Sequence, residues 1–142
     1  MFFVFMILIF LDPTIENQML TANEHVTLEM NVPKNISISK QGEITFFFSP
    51  IEGIHINTIP VFELRLDKNS AFEIVGKPKF QKNDKDYLDI ATPIEFSFKP
   101  IQRTKPGKHN FKGKLNYFYC SDKEGWCNRF TQPVDVTIEV IK

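Results

Sequence analysis

The sequence YFYCSDKEGWCNRFTQP, residues 117–133, holds both cysteines of the chain and its single tryptophan, Trp126. Between Cys120 and Trp126 the residues are Ser, Asp, Lys, Glu and Gly, which favour a turn, and strand-forming residues flank them on both sides. This pattern predicts a β-hairpin that carries one cysteine on each arm. Six residues separate Cys120 from Cys127, so the two arms can bring their sulfur atoms within disulfide reach.

Alternating apolar and polar residues predict further strands before and after this hairpin. The predicted strands cover residues 25–32, 43–49, 61–67, 71–75, 92–99, 109–119 and 134–141. The 15 phenylalanines and 9 prolines of this 142-residue chain also favour strands and loops over helices. About eight strands at fairly regular spacing predict an all-β fold, and specifically an immunoglobulin-like β-sandwich.

The N-terminal residues 1–22 are predicted to be a signal or leader segment followed by a linker, and residues 23–142 to form the domain. Residues 1–11 are apolar and have the length of the hydrophobic region of a signal peptide, which is shorter than a membrane span. No Lys or Arg precedes this run, so a buried first strand or a start codon inside a longer leader remains an alternative. Two closely spaced cysteines at a β-hairpin also suit an oxidising compartment, which favours an exported protein.

The charge balance and the histidines argue against several classes of function. A net charge of zero does not fit the basic surface of a nucleic-acid-binding domain. A structural metal site needs about four ligands, and His25, His55 and His109 are not spaced as ligand pairs, so each is predicted to be a surface or turn residue. The sequence contains no hydrolase motif and no phosphate-binding glycine loop, so we expect no metal and no small-molecule cofactor. The protein is also expected to be a monomer.

The parity of the strand 109–119 predicts the direction of one sulfur atom. Phe111, Leu115 and Tyr119 are odd-numbered and apolar, so the odd-numbered side chains should face the core. Cys120 belongs to the even-numbered set with Phe118. Its sulfur is therefore expected to point away from the core, where a partner could reach a disulfide.

Two interpretations of the cysteine pair follow from the residues alone. As a structural staple, a disulfide that closes a loop of about eight residues stabilises the fold by roughly 2 to 3 kcal/mol. In thiol–disulfide exchange, a thiolate attacks a disulfide sulfur and the second cysteine resolves the mixed disulfide. Lys123 and Arg129 would favour a thiolate, and Asp122 and Glu124 would oppose it.

Four motifs occur in one order along the chain, namely GIHIN at 53–57, PGKH at 106–109, GKLNY at 113–117 and the cysteine hairpin at 120–127. Together they resemble the N-terminal periplasmic domain of the DsbD-type thiol:disulfide interchange proteins, over residues 25 to 140. The resemblance implies an immunoglobulin-like domain that passes electrons through Cys120 and Cys127. It also implies protein-disulfide reductase activity, with thioredoxin-like or membrane reductase proteins as partners. The chain departs from the family in a cysteine spacing that is one residue longer.

The resemblance further implies that an aromatic side chain shields the cysteine pair. Tyr87 in the loop before the cysteine-bearing strand is the first candidate, and Phe80 is the second. Phe118 and Trp126 are expected at the rim of the contact with a partner, unless Trp126 is a hydrophobic anchor for the turn. The alternative function is a non-enzymatic binding module with a structural disulfide. A Cys127→Ala variant that traps a mixed disulfide would favour exchange.

Overall fold

A computed structural model of the chain describes residues 15–20 and 23–142. These residues form β-strands and no helix, so the predicted all-β class is confirmed. The strands are β1 Ile15–Leu20, β2 Val26–Pro33, β3 Asn35–Ser37, β4 Gly42–Pro50, β5 Ile54–Ile56, β6 Glu63–Leu66, β7 Phe72–Lys79, β8 Ile94–Pro100, β9 Gly107–Ser121 and β10 Trp126–Ile141. The described part of the chain therefore holds no helix with the length and hydropathy of a membrane span.

The strands form the two sheets of an immunoglobulin-like β-sandwich, as the alternation pattern predicted. Sheet 1 has the order β1-β2-β4-β8-β7, and its neighbouring strands are antiparallel. Sheet 2 has the order β3-β10-β9-β5. The strand β6 also pairs with β9, next to β5. Only the pairing of β3 with β10 is parallel among the described strands.

The core lies between the sheets and is rich in aromatic rings. Phe98 of sheet 1 packs against Phe111 of sheet 2 with 5.0 Å between ring centroids, and Phe48 meets the edge of Tyr117 at 4.9 Å. Burial raises the pKa of Tyr117, whose hydroxyl accepts a hydrogen bond from Asn23 Nδ2 at 3.1 Å. These contacts confirm that the odd-numbered side chains of β9 face the core.

The long hairpin of β9 and β10 is the centre of sheet 2. Its register is continuous from the Gly107–Val140 pair to the Ser121–Trp126 pair, so β10 begins eight residues before the strand predicted at 134–141. The charged residue Arg129 and the proline Pro133 interrupt the apolar pattern and conceal the strand in the sequence. Pro133 is tolerated because β3 pairs with β10 only near its end, which leaves the edge beside Pro133 without a neighbouring strand in the described chain.

The linker predicted within residues 1–22 is wrong for Ile15–Leu20, because this segment pairs with β2 as an edge strand. β1 is held to the sheet by backbone hydrogen bonds to β2 alone, and the side chains at its centre are polar. The sequence therefore shows no apolar alternation in this segment. The strand predicted at residues 71–75 also ends later, because β7 continues with an irregular register to Lys79. The leader predicted at residues 1–11 lies outside the described residues.

Gly113 is a point of close approach between β9 and β6. The strands β5 and β6 follow each other along one edge of β9, and Leu66 of β6 lies opposite Gly113. A Cβ atom at Gly113 would overlap the backbone carbonyl of Arg65 and would lie 2.9 Å from the Cα of Leu66. Gly113 has no side chain on the apolar face of β9, and the backbone of β6 occupies the space that a side chain would need.

Candidate functional site

The candidate site is the Cys120–Cys127 disulfide at the tip of the long hairpin. The two cysteines are direct partners in the register of β9 and β10, and their sulfur atoms are bonded. The turn between them contains Gly125 at a φ of 74°, a conformation that glycine adopts without steric cost. Gly125 also donates its N–H to the carbonyl of Ser121 at 3.0 Å, which closes the turn. The disulfide therefore bridges two strands whose register already holds them together.

The two sulfur-bearing residues differ strongly in exposure. Cys120 is only 5% exposed, whereas Cys127 is an exposed residue. Both lie on the outer face of sheet 2, the face turned away from sheet 1, as the parity of Cys120 predicted. Cys120 is buried because it lies between β10 and β5, while Cys127 lies at the open edge of β10. A partner approaching in solution therefore meets Cys127 first.

Asn57 makes the polar contact to the buried sulfur. Its side-chain Nδ2 donates a hydrogen bond to Cys120 Sγ at 3.1 Å. Its backbone N–H donates to the carbonyl of Phe118 at 2.8 Å, which fixes Asn57 as an extension of β5. Its Oδ1 is buried without a hydrogen-bond partner among the described residues. Asn57 thus holds its side-chain amide beside Cys120, and the N–H end of that amide points to the sulfur.

His55 lies beside the disulfide and is not the plain surface or turn residue that the sequence predicted. It is paired with Cys120 in the register of β5 and β9, and its side chain is only 15% exposed. Its Nδ1 lies 3.0 Å from Asp122 Oδ1, but the angle between the two groups does not allow a hydrogen bond. The register brings His55 to the sulfur from 65 positions away in sequence, which a search for neighbouring ligand pairs misses.

Tyr87 stacks on His55, so the structure brings the first candidate shield to the site. The ring centroids are 3.5 Å apart and the planes are inclined by 18°. The Tyr87 loop is held by Asn83, whose Oδ1 accepts the Tyr87 N–H at 3.0 Å, and by Asp86, whose carbonyl accepts the Thr58 hydroxyl at 2.6 Å. Asp86 adopts a φ of 61°, which is uncommon for a residue with a side chain. The loop therefore holds Tyr87 in a defined position over the imidazole.

The structure places the other aromatic candidates differently. Phe118 is half-buried on the outer face, next to Cys120 on the same strand face. Phe80 instead packs against Phe62 in the core, with 5.2 Å between centroids, so it is not positioned as a shield. Trp126 packs on the inner side of the hairpin, 5.0 Å from the His25 ring. Because Trp126 is even-numbered on β10, it faces inward and packs against the core, a position that suits the hydrophobic anchor given above as the alternative to a rim residue.

Sequence reasoning missed Asn57 and His55 as site residues, although a signal for both was present. Apolar Ile54 and Ile56 alternate with polar His55 and Asn57, which places both polar side chains on one face of a short strand. Their contact with Cys120 depends on the pairing of β5 with β9. That pairing is a long-range feature, which the local pattern of residues 54–57 does not contain.

The comparisons with known proteins do not identify a family. No family model matches this sequence, and no curated protein matches it. Among solved structures, the chain is similar to the GAE domain of yeast GGA1, with a TM-score of 0.44 and 16% sequence identity. That similarity covers 84% of this chain and 98% of the yeast domain. The description of the fold as an immunoglobulin-like β-sandwich therefore relies on the two sheets themselves.

Proposed function

We propose that this domain carries out thiol–disulfide exchange with partner proteins through Cys120 and Cys127, in the manner of the DsbD-type N-terminal domains. One observation carries the proposal. The sulfur of an exposed residue is bonded to a buried sulfur that accepts a hydrogen bond from Asn57. An exchange protein needs this division, because one sulfur must be open to attack while the other leaves as a stable thiolate.

The difference in exposure supports different roles for the two sulfurs in the proposed reaction. A thiolate of a reduced partner attacks Cys127 Sγ, a mixed disulfide forms, and the electron pair of the broken S–S bond stays on Cys120 Sγ. A second partner thiol then attacks the partner sulfur of the mixed disulfide and releases Cys127. The partner leaves as a disulfide, and the domain holds two more electrons and, after protonation, two thiols. In the opposite direction, Cys127 attacks the partner disulfide and Cys120 resolves the intermediate.

Asn57 supports this division because an N–H donor stabilises a thiolate more than it stabilises a disulfide sulfur. We expect Asn57→Ala to make the reduction potential of the pair more negative by about 30 mV, which corresponds to about 1.4 kcal/mol. The potential is measured by equilibrating the folded protein with glutathione redox buffers. Asn128→Ala is the matched control, since Asn128 is an exposed asparagine on the same hairpin. A potential that moves equally in both variants would contradict the role of Asn57.

The test of the function itself is the reduction potential of the unmodified pair. We expect a value above about −250 mV, within the range of exchange proteins. A value below about −300 mV would mark a structural bridge. The domain would then be the alternative, a non-enzymatic binding module whose disulfide staples the hairpin, and an immunoglobulin-like sandwich with a hairpin disulfide fits that function equally well.

The proposed partners are thioredoxin-like or membrane reductase proteins, and the proposed location is the periplasm or another exported compartment. Two features support this part of the proposal. The motifs around Gly53 and Gly113 resemble those of the DsbD-type domains, and a disulfide between closely spaced cysteines persists best in an oxidising compartment. We expect the domain to act without a metal or an organic cofactor, because the exchange needs only the two thiols.

A further inference from the structure

A basic groove lies on the outer face of sheet 2, on the side of the hairpin that carries the disulfide. It is open to solvent and has a volume of about 450 Å³. Residues of β6, β9 and β10 line it, together with the turn after β6. Four of the lining residues are cationic, namely Arg65, Lys68, Lys114 and Arg129, and one, Asp67, is acidic. The groove is therefore strongly positive although the whole chain has a net charge of zero.

The cations in the groove are largely free of local partners. Arg65 forms an ion pair with Glu63 at 2.7 Å, but both side chains are exposed, where such a pair contributes little. Lys68, Lys114 and Arg129 form no ion pair within residues 15–20 and 23–142. Their charges remain available for an external anion. Charges of one sign that line a concave surface raise the local concentration of ligands of the opposite sign.

The register connects this groove to the exposed cysteine. Lys114 lies opposite Arg65 on one side of β9, and Phe118 lies opposite Arg129 on the other side. Cys127 precedes Arg129 by two residues on the same face of β10, which corresponds to about 7 Å along a strand. The next cross-strand pair on that face is the disulfide itself. A partner lying in the groove would therefore present its neighbouring residues to Cys127.

We propose that the basic groove binds an acidic segment of the redox partner and guides the partner thiol to Cys127. The proposal rests on the proposed exchange function and names the chemistry of the partner. The cationic side chains extend across three strands, about 10 Å in the hydrogen-bonding direction. This spread matches several carboxylates on a protein segment better than the single compact charge of a phosphate.

The test uses chemically reduced protein and two probe disulfides of different charge. The reaction of the thiols with anionic dithiobis(nitrobenzoate) is compared with their reaction with uncharged dithiodipyridine at low ionic strength. We expect the double variant Lys114→Glu, Arg129→Glu to lower the ratio of the two rates about tenfold, since electrostatic steering changes association rates by this order. The ratio for the unmodified protein should fall as salt is added, because salt screens exposed charges.

The control variant is Lys108→Glu, which changes a lysine near the other end of the same strand. Lys108 is exposed, lies opposite Glu139 and does not line the groove. We expect this variant to leave the rate ratio unchanged. A ratio that is equal in all variants, or that changes as much with Lys108→Glu, would overturn the proposal. A change of both absolute rates at constant ratio would overturn it as well, because it would show an effect on the thiols themselves.

A competition experiment separates a protein segment from a simple anion. We expect a short oligoglutamate peptide to slow the reaction of the anionic probe several-fold, and inorganic phosphate at the same ionic strength to have no greater effect than sodium chloride. Competition by phosphate alone would overturn the proposed partner. These assays start from reduced protein and do not depend on the reduction potential, so failure of the exchange function and failure of the groove proposal are observed separately.

Discussion

Alanine in place of Gly113 is expected to lower the free energy of unfolding by about 3 kcal/mol, the upper part of the range for overpacked cores. The added Cβ would overlap the carbonyl of Arg65 and would lie 2.9 Å from the Cα of Leu66. Both contacts are with backbone, so no side-chain rotation relieves them and β6 must move away from β9. Urea unfolding of the oxidised protein, followed by the fluorescence of Trp126, measures the change.

Gly125→Ala is the matched control for this prediction. Gly125 has a positive φ of 74°, and a Cβ there would meet no atom within 4 Å. The control therefore reports only the backbone cost of placing alanine in the left-handed region, about 1 kcal/mol. If Gly113→Ala destabilises the protein no more than Gly125→Ala does, then β6 is able to shift and the close approach of the strands has little energetic importance.

The second large effect is expected from the single-cysteine variants. Cys120→Ala leaves the thiol of the exposed residue Cys127, and we expect oxidised glutathione to convert it rapidly to a stable mixed disulfide. Cys127→Ala leaves the thiol of Cys120, which is only 5% exposed, and its reaction should be at least about tenfold slower because a thiol must be accessible to exchange. Mass spectrometry of the quenched reaction measures both rates. This order reverses the sequence-based prediction, in which Cys127→Ala traps the partner.

Denatured protein provides the control for this comparison. In urea the two remaining thiols should react at similar rates, since the difference in burial is lost. Both variants also lose the same disulfide, so its contribution of about 2 to 3 kcal/mol is removed from each. Equal rates for the two folded variants would contradict the assignment of Cys127 as the entry point, even if the pair proved to be redox-active.

The main strands could be predicted from the sequence because one face of each is buried. Phe96 is an example, since it lies between the polar residues Glu95 and Ser97 on its strand and its ring meets that of Phe46 in the core. β1 and β3 could not be predicted in this way. The residues Ile15–Leu20 form an edge strand with few apolar side chains, and Asn35–Ser37 is a strand of three residues that depends on a parallel pairing with the far end of the chain.

The candidate site was predictable only where it is local in sequence. The turn chemistry between Cys120 and Cys127 was sufficient to predict the hairpin and the disulfide. Local patterns do not contain the contact of Asn57 with Cys120, because β5 and β9 are separated by several strands along the chain. Trp126 faces inward because it is even-numbered on β10. The sequence pattern did not predict this direction, because the predicted strand began at residue 134 and β10 begins at Trp126.

The parallel pairing of β3 with β10 has a mechanical consequence. The chain leaves sheet 1 at Pro33 and enters sheet 2 at Asn35, where it runs alongside the C-terminal residues from Glu139 to Ile141. A force that pulls the two ends of the domain apart would drag β3 and β10 in opposite directions along their axes. All hydrogen bonds of this short pair would then bear the load together in shear, whereas the β1–β2 edge would peel open one bond at a time. In this direction of loading the pair would act as a mechanical clamp.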